Sequence, residues 1–361
     1  MTAISVIISL LLALWLIWFV YSRQSLSKLS IAMEFSQKRA TEGDVLVLST
    51  VLANAKWLPL PWVAVKFHIS KYLQFADSKD IQVSDDYYRN DLYHILMYQK
   101  ITRRFEFLCT KRGYYRLKSL DITAWDILMS TKYASHVDCD ASLIVYPSFL
   151  PVPEINELCT RINGHIQAKR FIHPDPFTFR GIREYAPNDP LKAINFKATA
   201  KAQTLMVNLW DFTISRQVVL MLNLEWPKDW RDDNVAENAI KIAASLAKKL
   251  TDAHIPVRFI TNSNKLSVGS GARHLEQILE ILALIDLESP SVEPFAPIFS
   301  EAINSNYIGH SNKQQGEPQE FWLISAYQGA DLKEVYDKTR SLGNVLTAWI
   351  DPSVQGKVVL L

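Results

Sequence analysis

The run VVLMLNL at residues 218–224 decides the fold of the C-terminal half of the chain. Its almost continuous apolar character is typical of a strand that is covered on both faces. The residues after it recur at helical spacing, at Val235, Ala239, Ile242, Leu246 and Leu250. Asn234 and Glu237 stand at the start of that helix in the pattern of a capping box. These signals predict a strand followed by a helix.

The same alternation of strand and helix continues towards the C-terminus. Apolar runs predict further strands at residues 256–261, 321–325 and 345–350. Helical spacing predicts helices at residues 275–285 and 331–341. Prolines and asparagines predict a loop over residues 288–319. Repeated strand–helix–strand units imply right-handed crossovers and a mostly parallel, doubly wound α/β sheet.

Residues 29–147 show a different pattern, which is typical of β-structure. Alternating or β-branched runs recur at 45–51, 63–69, 101–108, 114–122 and 143–146. Turn residues separate them, and the spacing of roughly ten residues favours a sandwich over a parallel sheet. We therefore expect an Ig-like β-sandwich here, and an overall α+β multidomain fold.

The first 22 residues contain no Asp, Glu, Lys or Arg. A helix over residues 2–21 is long enough to cross the hydrocarbon core of a bilayer. A cleaved signal peptide is the alternative, but neither a basic leading region nor a small-residue cleavage site is evident. The sequence predicts an uncleaved transmembrane anchor.

The charges next to this helix predict its orientation. Arg23, Lys28, Lys38 and Arg39 follow the apolar segment, whereas the residues before it carry no base. The positive-inside rule then predicts a single-pass protein of the cell membrane with its C-terminal body in the cytoplasm. Three cysteines, an odd and sparse set, agree with a reducing compartment.

The segment 151–216 is rich in proline, which argues against long helices there. Its charge is uneven, since residues 161–201 hold eight Lys or Arg and only three acids. Bases interleaved with aromatic residues could track a nucleic-acid strand. The overall pI of about 8.2 and the lack of a recognised module argue against that reading.

The stretch from Phe179 reads FRGIREYAPNDPLKAINFKATAKAQTLMV. It resembles the signature of the domain-of-unknown-function family 58, and the resemblance extends over most of the chain. The residues that carry the resemblance in type and spacing are Phe179, Arg180, Gly181, Arg183, Glu184, Tyr185, Pro187, Asp189, Ile194, Lys197 and Ala200. The departures from the family pattern are Asn188, Lys192, Asn195, Phe196 and Lys201.

The resemblance implies a von Willebrand factor A-like domain within residues 151–361 and a link with MoxR-type AAA+ ATPases. No settled enzymatic activity comes with the family. We therefore expect a non-enzymatic adaptor or scaffold without a cofactor. An enzyme, for example a hydrolase with an unrecognised site, is the alternative, although no Gly-x-Ser-x-Gly elbow or zinc motif is present.

The resemblance also implies where a metal-ion-dependent adhesion site would lie, namely after the strand at 218–224. Asn223, Glu225 and Pro227 occupy the positions of its Asp and two Ser residues. Too few oxygen ligands remain for Mg²⁺ or Ca²⁺, so the sequence predicts a degenerate site without metal. Trp226 and Tyr327 then mark a possible partner face at this edge, or else they cover the local core.

The signature itself has two interpretations. Its bases, Arg180, Arg183, Lys192 and Lys197, could form a cationic surface for an acidic partner. A structural role is the alternative: Glu184 and Asp189 would pair with the bases, while Phe179, Tyr185, Ile194 and Phe196 are buried. The sequence favours the structural role, because paired charges beside aromatic residues more often hold a segment in place.

Overall fold

The computed structural model describes residues 2–75, 82–83, 86–170, 178–186, 194–211, 217–226, 232–287, 293–308, 319–327, 329–341 and 345–352. Two compact units divide the chain. The first comprises Met1–Ser148 and Leu279–Ile285, and the second comprises Phe149–Ile278 and Asp286–Leu361.

The chain begins with helix α1, Thr2–Gln24. Within it, Ile4–Gln24 is long and apolar enough to cross a membrane. Its apolar side chains are mostly exposed, as expected for a helix whose surface meets lipid rather than protein. The predicted apolar helix is confirmed and extends three residues beyond its expected end at residue 21.

Ten strands follow α1 in the first unit. They are β1 (Leu29–Phe35), β2 (Arg39–Thr41), β3 (Val45–Asn54), β4 (Leu60–Ser70), β5 (Leu73–Phe75), β6 (Gln82–Val83), β7 (Asp86–Ile95), β8 (Lys100–Cys109), β9 (Gly113–Trp125) and β10 (Lys132–Tyr146). One sheet has the order β1-β3-β8-β5 and the other β2-β10-β9-β4-β7-β6. All pairs are antiparallel except β2 with β10.

The core of the first unit lies between these two sheets. Leu48 and Leu52 of β3 share one hydrophobic cluster with Val65, Phe67 and Ile122 of the other sheet. Every second residue of β3 is buried from Leu46 onward, because alternate side chains of a strand point to opposite faces. The predicted β-sandwich is confirmed.

The second unit alternates helices and strands. Its elements are α2 (Val152–Arg170), β11 (Thr178–Glu184), α3 (Phe196–Ala202), β12 (Met206–Asp211), β13 (Val218–Leu222), α4 (Asp233–Asp252), β14 (Val257–Thr261), β15 (Lys265–Gly269), α5 (Ala272–Leu284), α6 (Phe295–Ile308), β16 (Gln319–Ile324), α7 (Ala330–Ser341) and β17 (Val345–Ile350).

A five-stranded sheet organises this unit in the order β15-β14-β13-β16-β17. β14, β13, β16 and β17 run parallel, and β15 is an antiparallel edge strand. All five residues of β13 are buried, as the quoted apolar run predicts for the middle strand. Helices α6 and α7 contribute Phe295, Phe299 and Tyr336 to a core that includes Trp349 of β17.

Three local predictions are wrong. The prolines do not prevent α2, because Pro151 precedes the helix and Pro153 lies in its first turn, where no intrahelical N–H bond is lost. Asp232, not Asn234, caps α4, and its side chain accepts from the Asn234 N–H at 2.9 Å. The loop expected over residues 288–319 contains α6, whose buried residues recur at helical spacing.

The glycine-containing run at residues 267–271 is divided between a strand and a turn. Its first three residues belong to β15, and the turn is confined to Ser270 and Gly271. Gly271 has a φ of 84°, in the left-handed region that glycine adopts at little cost.

Candidate functional site

A polar residue directly follows each of the four parallel strands at their carboxyl ends. These residues are Asn223, Asn262, Ser325 and Asp351. The register aligns the strand ends, since Leu222 pairs with both Thr261 and Ile324, and Ile324 pairs with Ile350. All four polar residues are at most 8% exposed. The carboxyl edge of the sheet therefore brings together buried polar groups that are far apart in sequence.

Asn223 is the centre of this group. Its Nδ2 donates to Ser325 Oγ at 3.1 Å. Its Oδ1 accepts from Asn262 Nδ2 at 3.1 Å and from the Glu225 N–H at 2.9 Å. The side-chain amide therefore uses both its donor and its acceptor inside the protein.

Asn262 and Ser325 extend the network into the neighbouring loops. Asn262 Oδ1 accepts from the Leu224 N–H, and its Nδ2 also donates to the Glu293 carbonyl oxygen, both at 2.8 Å. Ser325 Oγ donates to the Tyr327 carbonyl oxygen at 2.8 Å. A buried network in which donors and acceptors are satisfied stabilises one arrangement of its loops. We call Asn223, Asn262 and Ser325 the amide network.

Glu225 supplies a carboxylate beside this network, and that carboxylate caps a helix. Its Oε2 accepts from the Phe295 N–H at 3.1 Å, at the first residue of α6. The first N–H groups of a helix have no intrahelical acceptor and favour a negative charge. Glu225 therefore stabilises the start of α6.

The geometry bears directly on the metal site that the family resemblance implies. The oxygen of Asn223, which stands where an acid ligand is expected, accepts two N–H donors. Within the described ranges, no group of three His, Cys, Asp or Glu residues is close enough to hold a metal ion. The side chains of the amide network are uncharged and interact through hydrogen bonds.

Trp226 and Tyr327 both lie near the amide network and are half-buried. Gly329 allows the Tyr327 ring to lie close to the backbone, since a Cβ at that position would clash with the ring. Pro227 lies outside the described residues.

A depression of about 430 Å³ opens at the same edge of the sheet, with Asn262, Lys265, Glu293 and Glu301 among its lining residues. Lys265 and Glu301 form an ion pair across it, and the hydrogen bond from Lys265 lowers the pKa of Glu301.

The segment that carries the family resemblance lies on β11, α3 and β12 of the second unit. β11 and β12 form an antiparallel pair in which Glu184 faces Met206. Asn195, where the family pattern has Asp, caps α3 by accepting from the Ala198 N–H at 2.9 Å. Its Nδ2 donates to Asn208 Oδ1 at 2.8 Å, which ties the cap to β12.

The signature exposes side chains that a purely structural role would bury. Phe196 is 77% exposed, so the prediction that its ring is buried is wrong. The cap places Phe196 at the first position of α3, a helix that has no buried residues. Arg183, Glu184 and Lys197 are exposed, whereas Gly181, Tyr185 and Ile194 are half-buried. Pro187, Asp189 and Lys192, and the side chains of Phe179 and Arg180, lie outside the described part of the chain.

One of the three cysteines is fully buried. Burial raises the pKa of the Cys109 thiol to about 11, which disfavours the thiolate. Cys139 and Cys159 are half-buried.

Sequence reasoning identified Asn223 and Glu225 individually but missed Asn262 and Ser325. A signal for both was present, because Asn262 directly follows one predicted strand and Ser325 is the last residue of another, and the carboxyl ends of parallel strands meet at one edge of a sheet.

No family model matches the chain, and no curated protein sequence matches it. Among solved structures, the CARDB domain of the PF1109 protein from Pyrococcus furiosus, in complex with di-metal ions, is 12% identical. That match covers 33% of this chain and 90% of the other, with a TM-score of 0.22. A non-cellulosomal cohesin from Archaeoglobus fulgidus is 14% identical over 32% of this chain and 91% of its own, with a TM-score of 0.21. Similarity at this level does not identify a family for the chain.

Proposed function

We propose that the protein is a membrane-anchored, non-enzymatic adaptor or scaffold that acts with a MoxR-type AAA+ ATPase. In this proposal α1 is the anchor, the sandwich is Ig-like, and the second unit is a von Willebrand A-like domain. The sheet order supports the last assignment. Counted from β13, it reads 3-2-1-4-5, the order of a doubly wound fold, with an antiparallel edge strand.

The exposure of Phe196 is the observation that carries the proposal. A large ring exposed beside Lys197 and Lys201 suits a surface that binds another protein through an apolar anchor and a basic rim. Ile182 of β11 and Leu205, which precedes β12, are further exposed apolar residues of this part of the second unit. An acidic surface on the partner would complement this patch. The family resemblance implies that the partner with this surface is an AAA+ ATPase.

The amide network supports an adaptor over a metal-dependent adhesion domain. A metal-dependent site would bind a partner carboxylate through an ion held by acids and hydroxyls. Here the nitrogen and the oxygen of the Asn223 amide both take part in internal hydrogen bonds, and the Glu225 carboxylate accepts a hydrogen bond at the start of α6. Partner binding in this proposal is therefore independent of Mg²⁺ and Ca²⁺.

The proposal is tested by cross-linking the full-length protein in its native membrane and identifying captured proteins by mass spectrometry. We expect the wild type to capture an AAA+ ATPase and Phe196→Asp to lose at least 80% of it. Val268→Asp is the matched control, because Val268 is an exposed apolar residue of β15 in the same unit.

Two results would contradict the proposal. One is that no AAA+ ATPase is captured by the wild type. The other is that Phe196→Asp captures as much ATPase as Val268→Asp. Equal melting temperatures of the two variants show that a loss reflects the surface and not the fold.

A further inference from the structure

The end of α1 packs directly on the β-sandwich. Ile17, Val20 and Tyr21 lie against or within the hydrophobic core of the first unit. The Tyr21 hydroxyl donates to the Pro59 carbonyl oxygen at 2.8 Å, between β3 and β4. These residues belong to the stretch that is apolar enough to cross a membrane. The sandwich therefore contacts the last turns of the same apolar helix.

Two loops are tied to the residues that follow α1. Lys56 is buried, and its ammonium donates to the carbonyl oxygens of Ser25 and Ser27. The Ala55 N–H donates to the Lys28 carbonyl oxygen at 3.0 Å, and the Tyr98 N–H donates to the Lys56 carbonyl oxygen at 3.1 Å. The β3–β4 and β7–β8 connections are thus held beside the exit of the helix.

A third connection, between β9 and β10, lies at the same end of the sandwich. In the register of the sheet Leu60 pairs with Ile95, and Trp62 pairs with Trp125. The starts of β4 and β10 and the ends of β7 and β9 are therefore adjacent. All three connections meet around the end of α1.

Large apolar side chains crowd the tips of these three connections. Each is between 48% and 71% exposed, and they are Trp57, Leu96, Met97, Tyr98, Ile127, Leu128 and Met129. We call these seven residues the apolar collar. So many exposed large apolar residues at one end of a domain mark a contact surface rather than scattered surface residues.

The backbone holds the collar in place at an unfavourable geometry. Tyr98 and Met129 have φ values of 50° and 55°, a region that glycine and asparagine favour and large side chains avoid. The buried Asp126 carboxylate accepts from the Ser130 N–H at 2.7 Å, and the Met129 N–H donates to the Asp126 carbonyl oxygen at 3.0 Å. Large residues retained in strained turns point to a function for the side chains themselves.

We propose that the apolar collar inserts into the phospholipid leaflet from which α1 emerges. The continuity between the collar and the apolar surface of α1 places the collar at the boundary between headgroups and hydrocarbon. Trp57 and Tyr98 suit that boundary, because their rings combine an apolar body with a polar group. The proposal rests on the membrane anchor in the proposed function, and it makes the sandwich part of the membrane attachment.

Depth-dependent fluorescence quenching tests this with the full-length protein in vesicles of phosphatidylcholine and phosphatidylglycerol. The protein carries Cys139→Ser and Cys159→Ser, and an environment-sensitive fluorophore is attached at Leu128→Cys. Lipids with a shallow spin label are expected to quench it at least twofold. Val45→Cys is the matched control, an exposed apolar residue at the opposite end of β3, about 30 Å away. A label at Leu12→Cys in α1 reports on the anchor.

The outcomes separate the collar from the anchor. Quenching at Leu12 with no more quenching at Leu128 than at Val45 overturns the collar and leaves the anchor standing. Failure to quench at all three positions overturns the anchor itself. Protection of Leu128 from aqueous iodide without quenching by lipid shows that protein covers the collar, which also overturns the proposal.

Met129→Asn separates insertion from a structural role. Asparagine adopts the left-handed backbone readily, so the melting temperature should stay equal or rise. Quenching at Leu128 should fall, because the neighbouring apolar anchor is lost. A lower melting temperature with unchanged quenching would show that Met129 only stabilises its turn and would overturn the proposal.

Discussion

The side-chain nitrogen of Asn223 lies 3.1 Å from the hydroxyl oxygen of Ser325 and joins two adjacent strand ends that are 102 residues apart in sequence. With Asn262 on the other side, the three residues close the carboxyl edge of the sheet with neutral hydrogen bonds. That edge is where ligands bind in open α/β sheets. In this protein, Asn223, Asn262 and Ser325 are hydrogen-bonded to one another at that edge.

Asn223→Asp restores the acid that the family resemblance implies at this position. We expect it to lower the free energy of unfolding by about 2 kcal/mol, because a carboxylate cannot donate to Ser325 and is buried with its charge. Addition of 5 mM Mg²⁺ should not restore the loss. Thermal unfolding with and without Mg²⁺ measures both effects.

Asn264→Asp is the matched control, since Asn264 is exposed at the same edge and bonds Thr261 through its backbone N–H. Recovery of the Asn223→Asp variant by Mg²⁺ would reveal a latent metal site and contradict the interpretation. Calorimetric titration of the wild type with Mg²⁺ or Ca²⁺ should show no saturable binding. A micromolar metal site that disappears in Glu225→Ala would also contradict the interpretation that no metal binds here.

Glu225→Ala should destabilise the start of α6, because the Phe295 N–H loses its acceptor. We expect a cost of about 1 kcal/mol, and a smaller cost for Glu225→Gln, which keeps an oxygen acceptor but loses the charge. Hydrogen exchange at the Phe295 amide should be faster in the alanine variant than in the glutamine variant. Equal exchange in both variants and the wild type would show that Glu225 does not cap the helix.

Burial lowers the pKa of Lys56 to about 8, from 10.5 for an exposed lysine. Between these two values the unfolded chain binds more protons than the folded protein, so stability should rise with pH across this window. Relative to Lys56→Met, which does not titrate, the wild type should gain about 1 kcal/mol between pH 8 and pH 9.5. Denaturant unfolding of both proteins at each pH measures the difference.

Lys66→Met serves as the control for Lys56, because it removes a lysine from the same unit without touching the residues after α1. The gain of stability relative to Lys56→Met should persist when both proteins also carry Lys66→Met. A difference between the wild type and Lys56→Met that is constant with pH would contradict the assignment.

A reporter fused to the C-terminus should behave as cytoplasmic, because the bases next to α1 lie on its C-terminal side. Digestion of the body by external protease in intact cells would contradict this orientation. Replacing Arg23, Lys28, Lys38 and Arg39 by glutamine should produce a mixed orientation, which the same reporter detects.

Local pattern was sufficient for the type of most long elements. The apolar run at residues 218–224 predicted the middle strand, because a strand buried on both faces is apolar throughout. Alternation predicted β3, because a strand buried on one face alternates apolar and polar residues. The pattern failed for α2 and α6. Proline was given too much weight at a helix start, and buried residues at helical spacing were overlooked within a segment rich in proline and asparagine.

The chemistry of the two candidate surfaces depended on distances that local pattern does not contain. Asn223, Asn262 and Ser325 come together only because three parallel strands end in register. The apolar collar exists only because three connections, far apart in sequence, meet beside the end of α1. Hydrophobic periodicity arises from each element's own burial and is therefore readable along the chain. The pairing of strands is a property of the folded sheet, and it is the pairing that places these polar and apolar side chains together.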